Sequence, residues 1–318
     1  MNRVLVTGCL GFIGSQFVKS LIKTTDADIV GLSRFTNQRN LRRLDGVIGD
    51  PRFNLHYLDL RRDDLGDAFA DVDTVVNFAA KTFVDYSIKD PLPFIESNIV
   101  GTFRLLEEAR RSKTLKLFFQ ISTDEVYGAI LQGAYTEDSR LNPTNPYAAS
   151  KAGADMLVKS FANTYSLPAI ITRTENNYGP YQGREKAVPT FVRKALAGEP
   201  LPVFGDGKHR RMWLHVDDHC SAIMHLIEKG KRGGEIYHVA GEHEMENIEL
   251  ARLILRLCMK PENQIAFVPD HDARPGHDRR YALSTTKLRE LGWKPMWNIE
   301  DGFRNAVEWY CTNRWWLQ

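Results

Sequence analysis

The sequence predicts an α/β fold in which a doubly wound parallel sheet is followed by a smaller α/β portion. In the first half of the chain, short β-branched runs alternate with amphipathic segments. Such alternation is typical of a parallel sheet covered by helices on both faces. Beyond residue 174 the pattern changes to shorter helices and to loops rich in glycine, proline, asparagine and aromatic residues. We therefore expect one domain over residues 1–173, with a returning segment near 211–235, and a second domain mainly over residues 174–318.

Six apolar runs are the candidate strands of this sheet. They are Arg3–Thr7, Asp28–Leu32, Phe53–Leu58, Thr74–Phe78, Leu115–Ile121 and Pro168–Thr172. Between the first two runs, Phe12, Phe17 and Leu21 recur at about one helical turn, which predicts an amphipathic helix. A later helix is predicted to begin at Pro146, because proline suits the first helical position.

The composition excludes several classes of function. The chain of 318 residues is long enough for a sizeable core, and its formal net charge of +2 provides no basic field for nucleic acid. No run reaches the ~18 apolar residues that a membrane span needs. The four cysteines lie far apart without metal-ligand spacing, and a strand follows Met1 almost at once. We therefore expect a cytoplasmic protein with reduced thiols, no metal site, and no nucleic-acid or membrane partner.

The first strand–helix junction carries a glycine-rich turn. The run VLVTGCLGFIGS places Gly8, Gly11 and Gly14 between the strand and the helix. In such a turn the first glycine makes the tight bend, the second lets the backbone approach a pyrophosphate, and the third allows close helix–strand packing. The helix N-terminus then holds the phosphates. The junction predicts a Rossmann-type dinucleotide-binding domain.

The end of the second strand leaves the choice of dinucleotide open. A carboxylate commonly stands there to accept the adenosine ribose hydroxyls of NAD, but this chain has Ser33 and Arg34. A small hydroxyl followed by a cation suits the 2′-phosphate of NADP, whereas the alternative is an ordinary solvated arginine. Adenine and pyrophosphate contacts are expected further along the sheet, at Asp59 and at Ala79, Ala80 and Lys81.

Two groups of polar residues carry the predicted chemistry. Asp124 and Glu125 stand side by side after an apolar strand, directly following Thr123. Tyr147 and Lys151 are four residues apart on one helix, and therefore about one turn from each other on one face. A lysine ammonium beside a phenol favours the phenolate and lowers its pKa from ~10. Tyr147 is therefore the expected base for a hydroxyl whose carbon loses a hydride.

Several motifs, in order, resemble those of the nucleotide-sugar 4,6-dehydratases, which are extended short-chain dehydrogenase/reductases. The motifs are TGCLGFIGS, STDEVYG, NPYAASK, NNYGPYQGREK, VFGDGKHRRMWLHVDDH and RPGHDRRYALSTTKLRELGWKP. They span nearly the whole chain, and the closest likeness is to the dTDP-glucose 4,6-dehydratases. Within the superfamily the two residues after the catalytic threonine differ between reactions: the epimerases resemble SSATVYG there and the glucuronate decarboxylases STSEVYG, whereas the dehydratases carry TDE, as this chain does.

The resemblance implies a mechanism and a set of catalytic residues. Tyr147 takes the C4 hydroxyl proton while hydride passes to the cofactor, with Thr123 bound to the C4 oxygen and Lys151 holding the nicotinamide ribose. Glu125 then removes the C5 proton, and Asp124 protonates the departing C6 hydroxyl. Hydride returns to C6 and leaves a 4-keto-6-deoxy sugar nucleotide. In a shared site of low dielectric, the pKa values of the two acids should be pushed apart.

The resemblance also assigns binding residues. The cofactor set is Gly8, Gly11, Phe12, Ile13, Gly14, Ser33, Arg34, Asp59, Leu60, Ala79, Ala80, Lys81, Asn98, Tyr147 and Lys151. The substrate set is Asp85, Asn177, Glu185, Lys186, Pro202, Phe204, Arg211, Arg274 and His277. Arg211 and Arg274 match arginines that bind diphosphate, although either could form a structural ion pair. Relatives pair through two helices from each chain, so we expect a homodimer through Phe94–Ser112 and Tyr147–Tyr165.

Several positions depart from the family motifs. Lys81, Phe83 and Tyr86 replace a glutamate, a histidine and an arginine. Glu175 occupies a usually small position, and Met212 replaces an aspartate. The expected cofactor is NAD, with NADP open, and the substrate base can be dTDP, UDP or GDP. The alternatives to a dehydratase are an NDP-sugar 4-epimerase or a UDP-glucuronate decarboxylase on the same fold, and more remotely a non-catalytic dinucleotide sensor.

Overall fold

A seven-stranded, fully parallel sheet forms the centre of the computed structural model, which describes residues 1–35, 37–269 and 278–318. The strand order is β10-β6-β5-β4-β1-β2-β3. The strands are β1 (Arg3–Thr7), β2 (Asp28–Ser33), β3 (Phe53–Tyr57), β4 (Thr74–Asn77), β5 (Leu117–Thr123), β6 (Ala169–Thr174) and β10 (Gly233–Val239). The predicted α/β fold class is confirmed.

All six predicted strands are present; β1 has the predicted bounds, and the other five are shifted at one or both ends. β5 extends two residues further than predicted and ends at Thr123, so the paired acids follow the strand directly. β6 likewise ends at Thr174, and Thr123 pairs with Thr174 in the register of the two strands. β10 comes from the later part of the chain and adds a seventh strand beside β6.

Helices cover both faces of the sheet. On one face, α1 (Phe12–Thr24) and α9 (Val216–Lys229) pack through residues such as Phe17 and Ile223. On the other face, α6 (Gly101–Arg111) and α7 (Pro146–Tyr165) pack through Leu105 and Val158. α7 begins at Pro146 as predicted. The shorter helices of this part are α2 (Gln38–Leu41), α3 (Gly66–Phe69), α4 (Val84–Lys89) and α5 (Leu92–Phe94), with a π-helix over Ile95–Val100 and 3-10 turns at Arg42–Leu44 and Asp124–Tyr127.

The later residues build a smaller layer with a core of its own. Two small sheets form there, β7 (Asn176–Tyr178) with β9 (Arg210–His215) and β11 (Glu244–Glu246), and β8 (Leu201–Phe204) with β12 (Ile265–Val268). Three helices pack on them around Val192, Ile254 and Phe303. They are α8 (Ala187–Ala197), α10 (Asn247–Leu257) and α12 (Ile299–Thr312), with α11 (Thr286–Glu290) against β10 and 3-10 turns at Glu262–Gln264 and Arg314–Trp316.

The described residues offer neither a membrane-spanning helix nor a metal site. None of their helices is long and apolar enough to cross a membrane. Over the same ranges, no group of histidine, cysteine and acidic side chains has the arrangement of a metal site. All four cysteines are free thiols.

Candidate active site

The carboxyl ends of the central strands form one edge, and the glycine turn lies there. Gly8 has a φ of +67°, and a Cβ placed on it would lie 2.9 Å from the Ala79 nitrogen. A Cβ on Gly14 would lie 2.5 Å from the carbonyl oxygen of Gly8. The turn therefore holds β1, β4 and α1 at distances that only glycine permits. Phe12 and Ile13 begin α1, whose free N–H groups face the strand ends.

The loop after β3 contains a carboxylate surrounded by arginines. Arg61 forms an ion pair with Asp59 at 2.7 Å, and hydrogen bonding from Arg61 holds the pKa of Asp59 at about 2. Arg34 lies 3.9 Å from the same carboxylate, while Ser33 donates only a long hydrogen bond to the neighbouring carbonyl. Arg34 is thus kept at the end of β2, where either an adenosine ribose or a 2′-phosphate could meet it. Leu60 is buried beside this loop.

Asn98, in the π-helix, joins three parts of the site. Its Oδ1 accepts a hydrogen bond from the Lys81 backbone N–H at 2.8 Å, and its Nδ2 donates to the Lys81 carbonyl at 3.0 Å. The same amide nitrogen donates to Ser150 Oγ at 2.8 Å. Asn98 is buried, so its one side chain fixes the loop after β4 against α7. π-Helical turns often occur where a functional residue has to be placed.

The two acids differ in burial and in their contacts. Thr123 Oγ1 donates to Asp124 Oδ1 at 3.1 Å and accepts from the Glu125 N–H at 3.3 Å. Asp124 is buried, whereas Glu125 is partly exposed and accepts a hydrogen bond from Asn145 Nδ2 at 3.4 Å. Both side chains therefore project from the turn that follows β5.

The electrostatics of the two acids are unequal as well. Burial, followed by the charge of Glu125, raises the pKa of Asp124 to about 7. Burial also raises the pKa of Glu125, but hydrogen bonding from Asn145 and the charges of Lys186 and Arg211 oppose the rise. The pKa values of both acids are raised, and because the contacts with Asn145 and Lys186 oppose the rise at Glu125, a proton shared by the pair is favoured on Asp124.

The tyrosine and the lysine lie at the same edge, but their electrostatics differ from the prediction. Burial and the charge of Glu125 raise the pKa of Tyr147, with only the Thr123 side chain opposing them strongly. The expectation that Lys151 lowers the pKa of this phenol is wrong for the chain by itself. Lys151 is buried, its Nζ donates to the Ile121 carbonyl at 2.6 Å, and desolvation lowers its own pKa to about 8. Its charge is therefore directed at the backbone of β5.

The expected substrate-side residues approach the acids from the smaller layer. Arg211, on β9, donates to the carbonyls of Asp278 and Arg279 at 2.8 and 3.3 Å and lies over the Tyr281 ring. Within the ranges that the structure describes, it forms no ion pair with a carboxylate, and its charge lowers the pKa values of both acids. Within these ranges the guanidinium is thus held by backbone carbonyls and not by a carboxylate, and its role in binding diphosphate stays a prediction.

Other members of the predicted set occupy varied positions. Lys186 precedes α8 and lies over the Phe83 ring at 5.1 Å, while Glu185 is exposed beside it. The side chain of Asn177 already bonds His219 and the Glu175 carbonyl, each at 2.9 Å. Asp85 is in the first turn of α4. Pro202 and Phe204 lie on β8, Ala80 follows β4, and Arg274 and His277 fall outside the described residues.

Two groups of site residues were not predicted. Asn145 caps α7 by accepting from the Ala148 N–H at 2.9 Å while it contacts Glu125. Beneath Lys151, the carboxylate of Asp155 pairs with Arg173 at 3.0 Å, and both residues are buried. The four-residue step from Lys151 to Asp155 repeats the step from Tyr147 to Lys151, so the helical period could have identified Asp155. Nothing in the local sequence indicates that Arg173 is its partner.

Comparison with known proteins gives consistent matches over the whole chain. A family model described as GDP-mannose 4,6 dehydratase matches residues 5–306. The chain is 45% identical over 308 residues to the low-salt glycan biosynthesis protein Agl12 of Haloferax volcanii, which covers 96% of this chain and 98% of that protein. It is 44% identical over 322 residues to a dTDP-glucose 4,6-dehydratase of Streptomyces niveus, which covers 99% and 94% respectively.

A solved structure gives a similar match. The crystal structure of DesIV, the dTDP-glucose 4,6-dehydratase of Streptomyces venezuelae with NAD and dTDP bound, superposes with a TM-score of 0.93. The sequences are 41% identical, and the superposition covers 99% of both chains. Both layers of the fold, and therefore the edge at which they meet, are shared with that enzyme.

Proposed function

The chain belongs to the GDP-mannose 4,6-dehydratase family and is a nucleotide-sugar 4,6-dehydratase, and we propose that it converts dTDP-glucose to dTDP-4-keto-6-deoxyglucose with NAD as its recycled cofactor. The observation that carries the proposal is the unequal pair of acids after β5. Eliminating water across C5 and C6 needs a base and an acid on neighbouring carbons. Burial raises the pKa of both acids, the charge of Glu125 raises that of Asp124 further, and Asn145 and Lys186 oppose the rise at Glu125, so Asp124 is the better candidate for the acid and Glu125 for the base.

The glycine turn supports the fit of the dinucleotide. A Cβ on Gly8 or Gly14 would meet the protein backbone at 2.9 or 2.5 Å, so glycine at both positions lets the turn bring its backbone close to the N-terminus of α1, where a pyrophosphate binds in this type of turn. NAD held at this edge would supply the hydride acceptor for C4 and the hydride donor for C6. Asp59, Ala79 and the Lys81 backbone line the same edge. We further propose that residues 1–173 form the dinucleotide-binding domain and that residues 174–318 mainly form the sugar-nucleotide-binding domain.

The remaining steps are proton transfers by this chain. Tyr147 accepts the proton of the C4 hydroxyl as a phenolate, a form that its raised pKa disfavours in the chain by itself, and Thr123, which lies between Tyr147 and Asp124, bonds the C4 oxygen. The proton that Tyr147 gains balances the one that Asp124 later gives up, so transfer between them through solvent restores both groups. The ketone at C4 acidifies the C5 proton, which Glu125 removes. Asp124 donates its proton to the C6 hydroxyl, which leaves as water. Glu125 finally returns its proton to C5, while Lys151 holds the nicotinamide ribose and Arg211 binds the diphosphate of the substrate.

We infer dTDP-glucose rather than a UDP- or GDP-linked hexose because two of the compared enzymes carry that name. The test is a set of separate incubations with dTDP-glucose, UDP-glucose, GDP-mannose and UDP-glucuronate, followed by mass spectrometry. Loss of one water from dTDP-glucose, with the alkali-induced absorbance of a 4-keto sugar, is the expected result. A change of configuration without water loss, or loss of carbon dioxide from UDP-glucuronate, would instead support the epimerase or decarboxylase alternative.

We propose NAD rather than NADP as the cofactor because the crystal structure of DesIV contains NAD. Arg34 keeps its contact with Asp59 in that case and bonds no 2′-phosphate. Denaturing the purified protein and identifying the released dinucleotide tests this choice. Release of NADP alone would show that Arg34 binds the 2′-phosphate.

A homodimer and a cytoplasmic location complete the proposal. The π-helix, α6 and α7 expose apolar side chains on one side of the chain, and relatives of this class pair through two such helices from each chain. Among these side chains are Val100, Phe103 and Met156, which are 39%, 43% and 44% exposed. The free thiols support a reducing compartment, because disulfides persist in oxidising ones.

A further inference from the structure

A third carboxyl group, Glu175, lies beside the pair of acids, and its role rests on the proposed function. Thr123 and Thr174 are partners in the register of β5 and β6. Asp124 and Glu175 are the next residues of the two strands, so they leave adjacent strand ends side by side. Both residues are only 4% exposed. Asp124 and Glu175 are therefore two buried carboxyl groups at adjacent strand ends, and Glu125, the next residue after Asp124, is partly exposed.

The contacts of Glu175 are those of a neutral acid. Its Oε1 accepts a hydrogen bond from the Leu283 N–H at 2.8 Å, whereas its buried Oε2 has no partner among the described residues. Arg280, the cation that faces it, is bound by Glu244 at 2.5 and 3.1 Å. A buried carboxylate without its own cation is costly, so a proton on Oε2 is favoured. Burial and the charge of Asp124 raise the pKa of Glu175 well above its usual range.

The surroundings of Glu175 favour the neutral form for a second reason. Asn176 pairs with Trp213 in the parallel register of β7 and β9, so the preceding residues, Glu175 and Met212, are neighbours. Met212 packs on an apolar cluster that includes Leu283, whose N–H binds Glu175. Both Glu175 and Met212 depart from the family motifs. A carboxyl with an apolar neighbour at this position has little to stabilise a negative charge.

We propose that Glu175 is a positioning residue for Asp124, whose carboxyl keeps its proton and donates it as a hydrogen bond to the Asp124 carboxylate. Asp124 becomes a carboxylate when it protonates the leaving C6 hydroxyl. A donor from Glu175 stabilises that anion and makes Asp124 a stronger acid, without transferring its own proton. The hydrogen bond thus offsets part of the rise that burial and Glu125 cause in the pKa of Asp124.

The direction of the effect depends on every charge near the two carboxyls. The groups that face Asp124 are Glu125, Arg211, Tyr147 and Tyr281, and those that face Glu175 are Asp124, Glu244 and Arg280. A neutral donor at Glu175 lowers the pKa of Asp124, whereas a carboxylate at Glu175 would raise it. Removing the Glu175 side chain should therefore raise the pKa of Asp124 if Glu175 is neutral, and lower it if Glu175 is a carboxylate.

The experiment compares Glu175→Gln with Glu175→Leu in the full chain. Glutamine keeps both an acceptor for the Leu283 N–H and a donor for Asp124, while leucine keeps only the volume. We expect Glu175→Leu to lower the rate of water elimination about 10-fold and to move the alkaline limb of its pH profile up by about one unit. Glu175→Gln should stay within about threefold of the wild type, with its limb unmoved.

A measurement without turnover separates this proposal from the proposed function. The pKa of Asp124 is read from carbon NMR of protein labelled at aspartate carboxyls, with Asp124→Asn to assign the signal. An upward shift in Glu175→Leu, absent in Glu175→Gln, supports the proposal even if no tested sugar nucleotide loses water. A downward shift, no shift, or equal shifts in both variants overturns it. If leucine prevents folding, an Asp124 pKa that moves in Glu175→Gln also overturns it.

Discussion

At the scale of single residues, the unequal surroundings of Asp124 and Glu125 make separable predictions. Asp124→Asn removes the proton donor for the leaving hydroxyl, and Glu125→Gln removes the base at C5. Each should lower water elimination by about 100-fold or more, because a positioned acid or base typically contributes 10²–10⁴-fold. Oxidation at C4 depends on Tyr147 and should remain visible as absorbance of reduced nicotinamide in a single turnover.

The control for these variants is an acid outside the site. Asp138 is exposed in the loop before α7, so Asp138→Asn should leave both steps unchanged. Loss of C4 oxidation together with elimination in Asp124→Asn would mean that Asp124 acts earlier than assigned.

The pH dependence of elimination follows from the raised pKa of Asp124. The acid donates only when protonated, and burial with the charge of Glu125 holds its pKa at about 7. The rate of water release should therefore be highest below pH ~7 and fall as the pH rises through that value. The pH–rate profile of 4-keto product formation, measured at saturating substrate, tests this. Asp124→Asn should lack the alkaline limb, and a wild-type profile that is flat to pH ~9 would contradict the assignment.

The residue scale also marks where sequence reasoning ended. The pair of acids, the tyrosine and the lysine were identified from their spacing, and they do share one edge of the sheet. The pKa of Tyr147 was predicted in the wrong direction, because spacing along a helix gives proximity but not burial. Lys151 Nζ donates to the Ile121 carbonyl, while burial and the charge of Glu125 raise the pKa of Tyr147.

At the scale of elements, the π-helix supplies the hub of the site. Asn98 satisfies the N–H and the carbonyl of Lys81 and bonds Ser150 on α7. Asn98→Ala leaves buried polar groups without partners, which costs about 1–3 kcal/mol for each. We expect a loss of about 3 kcal/mol in the free energy of unfolding, measured by urea denaturation, and a raised KM for the dinucleotide.

Ser97 provides the matched control for that variant. It is the neighbouring residue of the same π-helix, and its buried hydroxyl has no hydrogen-bond partner among the described residues. Ser97→Ala should therefore change the unfolding free energy by less than about 0.5 kcal/mol. Equal losses in both variants would show that the π-helix is sensitive to any change, and that the Asn98 contacts are not the cause.

The ends of helices could be predicted where a periodic apolar pattern begins next to a proline or a glycine turn. Pro146 marks the start of α7, and the glycine turn marks the start of α1. The strand β5 was predicted over Leu115–Ile121, whereas it begins at Leu117 and its pairing with β6 extends to Thr123. The small strands β7, β8 and β11 are three or four residues long, too short for a period to emerge.

At the scale of the whole molecule, contacts between residues far apart in the sequence could not be predicted from local sequence patterns. The sequence identified the order of strand and helix in the first half, and from it the parallel sheet. It did not identify Arg173 as the buried partner of Asp155, because the two residues come from different elements. The family resemblance placed the substrate residues near the site, since motifs in a shared order imply a shared fold. That resemblance is confirmed by matches along the whole chain.

The assembly of two chains is the last prediction. Leu92, Ile95, Val100 and Phe103 lie on or next to the π-helix and α6, and Met156 lies on α7, where Gly153 packs closely on Ile99. A two-fold axis would set these helices against their copies and bury the exposed apolar side chains, as an isologous interface requires. A charge at the centre of such an interface opposes association. We therefore expect Phe103→Glu and Met156→Glu to sediment as monomers where the wild type sediments as a dimer.

Leu131→Glu is the matched control, because Leu131 is 75% exposed in a loop away from these helices. It should sediment as the wild type does and keep the same unfolding temperature. A wild-type chain that sediments as a monomer at micromolar concentration would contradict the proposed homodimer. If Leu131→Glu also dissociates the chains, the interface lies elsewhere. The site residues described above all come from one chain. Monomeric variants that still bind dinucleotide should therefore retain C4 oxidation. Their rate of water elimination, compared with that of the wild type, shows whether dimer formation stabilises the two acids.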